Sequence, residues 1–221
     1  MHILSIRFYF IDEHSCICQN GCMQENLKRQ AILGAAHDQF KQYGLRKTSM
    51  DDIAKSLGIS RASLYSYFEN KNEIFRCVSI SIHEDALNQA DVLLRSLEDS
   101  DLTERVIGAL LARHGPFQRA VVESQHGAEL YDEYSRLCGD IVSQFHERFE
   151  SLLASALRNA AREGEIDLKR NGLTGTNVAE ILNLSAAGLK REAHDMKVFE
   201  TRVRRLTNIV IEGLKPIRGD R

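Results

Sequence analysis

Residues 48–75 read TSMDDIAKSLGISRASLYSYFENKNEIF, from Thr48 to Phe75. Apolar side chains recur at helical spacing through Met50, Ile53, Ala54 and Leu57 before Gly58 interrupts them. Tyr65, Tyr67 and Phe68 then crowd together in a chain that has no tryptophan. Ser49 followed three residues later by Asp52 is a capping-box pattern, and Asp51 and Asp52 suit the positive end of a helix dipole. Ser60 caps a second short helix, RASLYSYF, and Asn70 with Glu73 repeats the cap pattern at the head of a longer one. Two short helices joined by SLGIS predict a helix-turn-helix. In that layout the first helix braces the second, whose N-terminal residues reach base edges in the major groove.

The pattern sorts the side chains into two faces. Ile53, Ala54, Leu57, Ile59, Leu64 and Phe68 are expected to pack on Ile32 and Phe40 of the preceding helix. Arg61, Ser63, Tyr65, Ser66 and Tyr67 are left facing outward. A guanidinium reaches guanine or phosphate, and serine and tyrosine hydroxyls donate to phosphate oxygens. Charge agrees. Residues 24–77 hold nine Lys/Arg against six Asp/Glu, whereas residues 78–221 hold nineteen against twenty-three.

Outward from this stretch the chain reads as all-α. QENLKRQAILGAAHDQFKQYG is an amphipathic helix stopped by Gly44, and only 2 prolines occur in 221 residues. Downstream, the pattern predicts a helix from Lys71 toward Leu97 and another, TERVIGALLARH, ended at Gly115–Pro116. A very long helix follows from about Ala128 to Glu163, then two final ones at 176–191 and 197–214. Three of the five cysteines (Cys16, Cys18 and Cys22) lie close to His14 in a leader, residues 1–23, that precedes the first good helix. No second cysteine pair completes a standard zinc spacing, so no metal site is assigned; the leader is read as disordered or as an over-extended translation start. No apolar run reaches the roughly 18–20 residues of a membrane span, and no secretory signal is recognisable. The sequence therefore reads as that of a cytoplasmic protein without a membrane partner.

With AILGAAHDQFKQYG before it, the quoted stretch resembles the DNA-binding domain of the TetR/AcrR family of transcriptional regulators. It follows the family pattern T-x-x-x-I-A-x-x-x-G-[VI]-S-x-x-x-[LI]-Y-x-[YH]-F-x-x-K-x-E-[LI] without a gap. The resemblance implies a helix-turn-helix DNA-binding domain over residues 24–70. It also implies a helical ligand-binding and dimerisation domain over residues 71–221. By position, Thr48 and Ser49 would touch the DNA backbone, and Arg61, Ala62 and Ser63 would read bases. Tyr65, Tyr67 and Lys71 would clamp phosphates. The small Ala62 suits close approach or a thymine methyl.

The last two helices resemble the family's dimerisation pair, with stripes at Val178, Ile181, Leu182, Ser185, Leu189 and at Phe199, Val203, Leu206, Val210, Leu214. The resemblance further implies a homodimeric repressor on a palindromic operator, released by a small molecule bound inside the helical body. There the long helix carries Tyr131, Tyr134 and Cys138, and His114 and Phe117 flank the proline break. Without a charge cluster among them, these residues predict a mainly apolar or aromatic effector. No cofactor is implied. Enzyme motifs are lacking: there is no His-Glu-x-x-His, no phosphate-cradling glycine loop and no nucleophile elbow. The competing readings are a metal- or redox-responsive regulator using the N-terminal cysteines, and a helical adaptor that does not bind DNA.

Overall fold

The computed structural model describes residues 19–96, 101–190 and 193–216, and over these the chain is all-α. Nine α-helices run in order: α1 (Gln19–Tyr43), α2 (Met50–Ser56), α3 (Arg61–Tyr65), α4 (Lys71–Arg95), α5 (Leu102–Glu123), α6 (Gly127–Leu137), α7 (Gly139–Glu163), α8 (Gly175–Leu189) and α9 (Met196–Leu214). None of the described helices is long and apolar enough to cross a membrane. The leader cysteines Cys16 and Cys18 lie outside the described residues, and Gln19–Met23 already belong to α1.

The chain divides into two compact units. The first runs to Asp85 and includes Glu123–Ile141; the second joins Ala86–Val122 to Val142–Arg221. The first unit is built on α1, α2 and α3. Ile32, Leu33, Ala36 and Phe40 of α1 are buried together with Ile53, Ala54, Leu64 and Phe68, as the face assignment requires. Phe40 and Phe75 meet edge to face with centroids 5.6 Å apart, which fastens the start of α4 to α1. Gly44 ends α1 at φ 80°, and a Cβ there would lie 2.7 Å from a Glu129 carboxylate oxygen. Glycine is therefore demanded twice, by backbone angle and by space.

α6 lies against this unit. Ser124 Oγ donates to the Lys41 carbonyl at 2.9 Å, and the Arg46 backbone N–H donates to Glu129 at 2.8 Å. The side chain of Arg46 pairs with Glu133 at 2.9 Å, and Arg136 holds the other oxygen of the same carboxylate at 2.6 Å. These two guanidiniums keep the buried Glu133 carboxyl below the usual carboxylate range.

Two helix boundaries differ from the sequence expectation. The predicted helix 128–163 is two helices, broken at Cys138. Arg76 stabilises the break: its guanidinium donates to the Leu137 carbonyl and grips Asp140 at 2.8 and 2.6 Å. That grip holds the Asp140 carboxyl down at about 2. Conversely, α5 does not stop at Gly115–Pro116 but runs through it to Glu123. A proline costs the helix one backbone bond and is tolerated where flanking packing compensates; here Arg113, His114 and Gln118 are all buried around it.

In the second unit α7 supplies Phe145, Phe149, Leu153 and Leu157 to the core, and α8 and α9 pack together. Val178 and Leu182 of the first predicted stripe are buried, as are Phe199, Val203 and Leu214 of the second. Ile181, also in the first predicted stripe, is 46% exposed, as are Leu184 of α8 at 54% and Ile209 of α9 at 74%.

Candidate nucleic-acid interface

The helix-turn-helix is built from local hydrogen bonds. Ser49 caps α2: its hydroxyl accepts from the Asp52 N–H at 3.2 Å, while Asp52 accepts from the Ser49 N–H at 2.9 Å. The Ser49 hydroxyl also donates to that carboxylate, and these bonds hold the Asp52 carboxyl low. The turn reverses at Gly58, φ 66°, with the Ile59 N–H on the Ala54 carbonyl at 3.1 Å. Ser60 then caps α3 through the Ser63 N–H. Leu64 is fully buried, which fixes the rotation of α3 and decides what it presents.

Arg61, Ala62, Tyr65 and Ser66 are exposed, and Ser63 and Tyr67 are half-buried. The Arg61 guanidinium donates to the Tyr65 hydroxyl at 3.3 Å, lies over its ring, and stands 3.7 Å from Asp51. A single short helix thus offers a planar cation, hydroxyls and a methyl on one side, the groups that read base edges and phosphates.

Two of the residues assigned to the DNA backbone are placed differently from the rest. Thr48 is 2% exposed and its hydroxyl donates to the Gly44 carbonyl at 2.7 Å. The Lys71 ammonium donates to the carbonyls of Leu45, Arg46 and Thr48 at 2.8, 3.0 and 3.0 Å. An ammonium has three donors, so all are committed within the chain. Lys71 ties the head of α4 to the turn that leads into α2. An exposed cation missed from the sequence, Lys47, sits on that same turn. With its neighbour Arg46 it forms an adjacent basic pair between α1 and α2, a signal that local charge would have yielded.

Arg29 is a second internal pin. Its guanidinium lies 4.4 Å from the Phe68 ring centroid and donates to the Tyr67 carbonyl at 3.4 Å and to Cys77 Sγ at 3.3 Å. One side chain of α1 thereby holds the end of the helix-turn-helix and the start of α4.

Residues 32–78 match the family described as bacterial regulatory proteins, tetR family. Residues 32–78 are therefore a tetR-family DNA-binding domain. An uncharacterized HTH-type transcriptional regulator, YhgD of Bacillus subtilis, is 24% identical over 140 residues, covering 63% of this chain and 72% of that relative. The nucleoid occlusion factor SlmA of Escherichia coli is 30% identical over 123 residues, 55% of this chain, and the match spans only 62% of its length. Among solved structures, a transcriptional regulator from Cytophaga hutchinsonii has the same fold, with a TM-score of 0.72 at 19% identity, covering 86% of this chain and 99% of its own. SmeT, the repressor of the Stenotrophomonas maltophilia multidrug efflux pump SmeDEF, gives a TM-score of 0.62 at 17% identity, covering 86% and 91%.

The matched segment contains α2 and α3, the helix-turn-helix described above. Among the described residues no group of three or more His, Cys, Asp or Glu is arranged to hold a metal. The five residues assigned to the effector fall in different units. Tyr131, Tyr134 and Cys138 belong to the first, where Tyr131 is exposed, Tyr134 is hydrogen-bonded to His83, and Cys138 is wholly buried. Burial pushes the Cys138 thiol up, which leaves it a weak nucleophile. His114 and Phe117 belong to the second unit, where His114 is buried against Phe149 and its Nε2 meets Asn183 at 2.9 Å.

Proposed function

We propose that the protein is a homodimeric repressor that reads a palindromic operator through two copies of α3 and is released by a small molecule. The observation that carries the DNA reading is the exposure of Arg61, Ala62 and Tyr65, with half-buried Ser63 between them, on a helix whose rotation is fixed by buried Leu64. For dimerisation, the support is the exposure of Ile181 and Leu184 on α8 and of Ile209 on α9. Isolated exposed apolar residues are ordinary; three large ones on one helix pair favour burial by a second copy. In that dimer the two α3 helices sit about 34–36 Å apart, one turn of B-DNA. SmeT is described as the repressor of an efflux pump; repression is extended here to this chain as part of the proposal.

Footprinting on the region upstream of the protein's own gene tests the reading, together with the mass of the bound complex. A two-fold symmetric footprint occupied by an even number of chains is the expected result. Arg61→Ala should cost about 1–3 kcal/mol at particular base pairs. Equal loss on operator and scrambled DNA would reduce Arg61 to a backbone contact, and a dimer without preference for any genomic fragment would sink the proposal.

A further inference from the structure

The interior of the second unit contains a polar chain that neither DNA binding nor dimerisation uses. His114 Nε2 meets Asn183 Oδ1 at 2.9 Å, and Asn183 Nδ2 meets His146 Nδ1 at 3.0 Å and Glu150 Oε1 at 3.3 Å. His146 Nε2 stands 2.9 Å from the same Glu150 oxygen. His114 is 3% exposed and Asn183 is fully buried.

A carboxylate only accepts, so Glu150 fixes the direction of the whole chain. Asn183 must turn its NH₂ toward Glu150 and its carbonyl toward His114. His114 must then carry its proton on Nε2 and donate it to Asn183. Burial, helped by the charges of Lys190 and Arg113, holds the His114 pKa well below its ordinary value, so the ring is neutral. In a neutral ring protonated at Nε2, Nδ1 is a bare acceptor. That Nδ1 is buried and has no hydrogen-bond partner. Burying an unpaired acceptor is costly, and native interiors rarely leave one without a reason.

Lys190 supplies the second requirement. It ends α8, its ammonium lies 5.6 Å from the centre of the Phe117 ring, and burial pulls its pKa down to about 8. No carboxylate among the described residues pairs with it. A half-buried cation beside an aromatic ring, with no carboxylate partner among the described residues, is matched by an anion attached to an apolar body. Both groups border α5 at Pro116, where the ring cannot donate to the Ala112 carbonyl and the helix is locally weakened.

We propose that His114 Nδ1 and the Lys190 ammonium are the two polar anchors of an effector site in the second unit, which takes a small aromatic carboxylate bearing a hydroxyl or N–H donor. The donor bonds His114 Nδ1, the carboxylate neutralises Lys190, and Phe117 and Phe149 pack on the ring. Asn183, His146 and Glu150 act behind His114, holding its tautomer. This deepens the effector reading above and replaces a neutral apolar effector with an acid.

Isothermal titration of the full chain with 3-hydroxybenzoate, 4-hydroxybenzoate and 4-hydroxyphenylacetate tests the proposal, with benzoate, phenylacetate and phenol as controls. At least one hydroxylated acid should bind tenfold or more tightly than both its deoxy partner and phenol. Lys190→Met should erase the preference over phenol while leaving the preference over the deoxy acid. His114→Phe should do the reverse. If His114→Phe does not fold, His114→Gln, whose side chain retains an acceptor, should keep part of that preference. Absence of heat with all three hydroxylated acids at millimolar concentration overturns the site, as does binding that is blind to both substitutions. Operator binding, measured in parallel, separates the two readings. A chain that binds operator but no acid loses only the site; one that binds the acid but no operator loses only the repressor reading.

Discussion

The helix-turn-helix of the first unit and the interior of the second are held by hydrogen bonds of different reach. In the first, the helix-turn-helix is closed by near neighbours: Ser49 with Asp52, Ser60 with Ser63, the Gly58 turn with Ala54. In the second, the central polar chain joins His114 to Asn183 and Asn183 to His146, partners far apart in sequence on α5, α8 and α7. Local closure fixes one orientation of α3, which a reader of base edges requires. A chain of side chains that ends on an unpaired atom suits a region whose state is to be changed by something that arrives.

Truncating the core beneath the recognition helix should produce the largest effect. Phe68 is 1% exposed and lies under Arg29. Phe68→Ala is expected to cost about 3–5 kcal/mol, read by chemical denaturation, and to abolish operator binding. Retention of full DNA affinity would show that the local caps hold α3 without the core.

Lys71 sharpens the comparison, because it is a long-range tie that meets the turn leading into the helix-turn-helix. Lys71→Met strips three carbonyls of a charged donor and should destabilise the chain by roughly 1.5–3 kcal/mol. The salt dependence of operator binding should stay the same. Lys47→Ala should show the converse, an unchanged melting temperature and a salt slope lower by about one. If the slope instead falls with Lys71→Met, that ammonium leaves its carbonyls for phosphate when DNA binds.

In the second unit, Asn183→Ala breaks the polar chain at its centre and leaves His114 without its acceptor. A loss of about 1–3 kcal/mol is expected, and an undiminished melting temperature would mean that the array is not under tension.

The smallest expected effect concerns Asp85, where burial and neighbouring Glu84 push the carboxyl up to about 6 from 3.8. Between those values the folded chain holds a proton that the unfolded chain has released. Stability from this group is therefore full below the unfolded pKa and falls as pH rises through the folded one. Asp85→Asn stays neutral and should melt higher than wild type above about pH 6, with the two converging below about pH 4. Parallel melting curves across that window would show the carboxyl to be solvated.

The contrast between the units also explains what could be read in advance. Gly58, the Ser49 and Ser60 caps and the alternation of Ile53, Ala54 and Leu64 are neighbours in sequence, so their geometry is written in their spacing. Lys71 was legible as a cation but not as a tie, because its carbonyl partners lie 23 to 26 residues earlier. The break at Cys138 depends on Arg76, more than sixty residues away. His114 and Phe117 were placed beside the effector on the strength of a proline. Lys190 and Asn183, on another helix, carried no sign in the sequence that they would join them.

The bonding of Lys71 has a consequence for chemical reactivity. Acylating reagents attack the free amine, and an ammonium tethered to three carbonyls must first break away and lose a proton. Lys47 and Lys55, exposed on the same unit, have no such constraint. Under a mild pulse of an acetylating reagent, Lys71 should be labelled last, at a rate set by how often the turn after α1 lets go. Its labelling rate then becomes a clock for opening of the reading head, one that runs in the complete protein and that bound operator should slow.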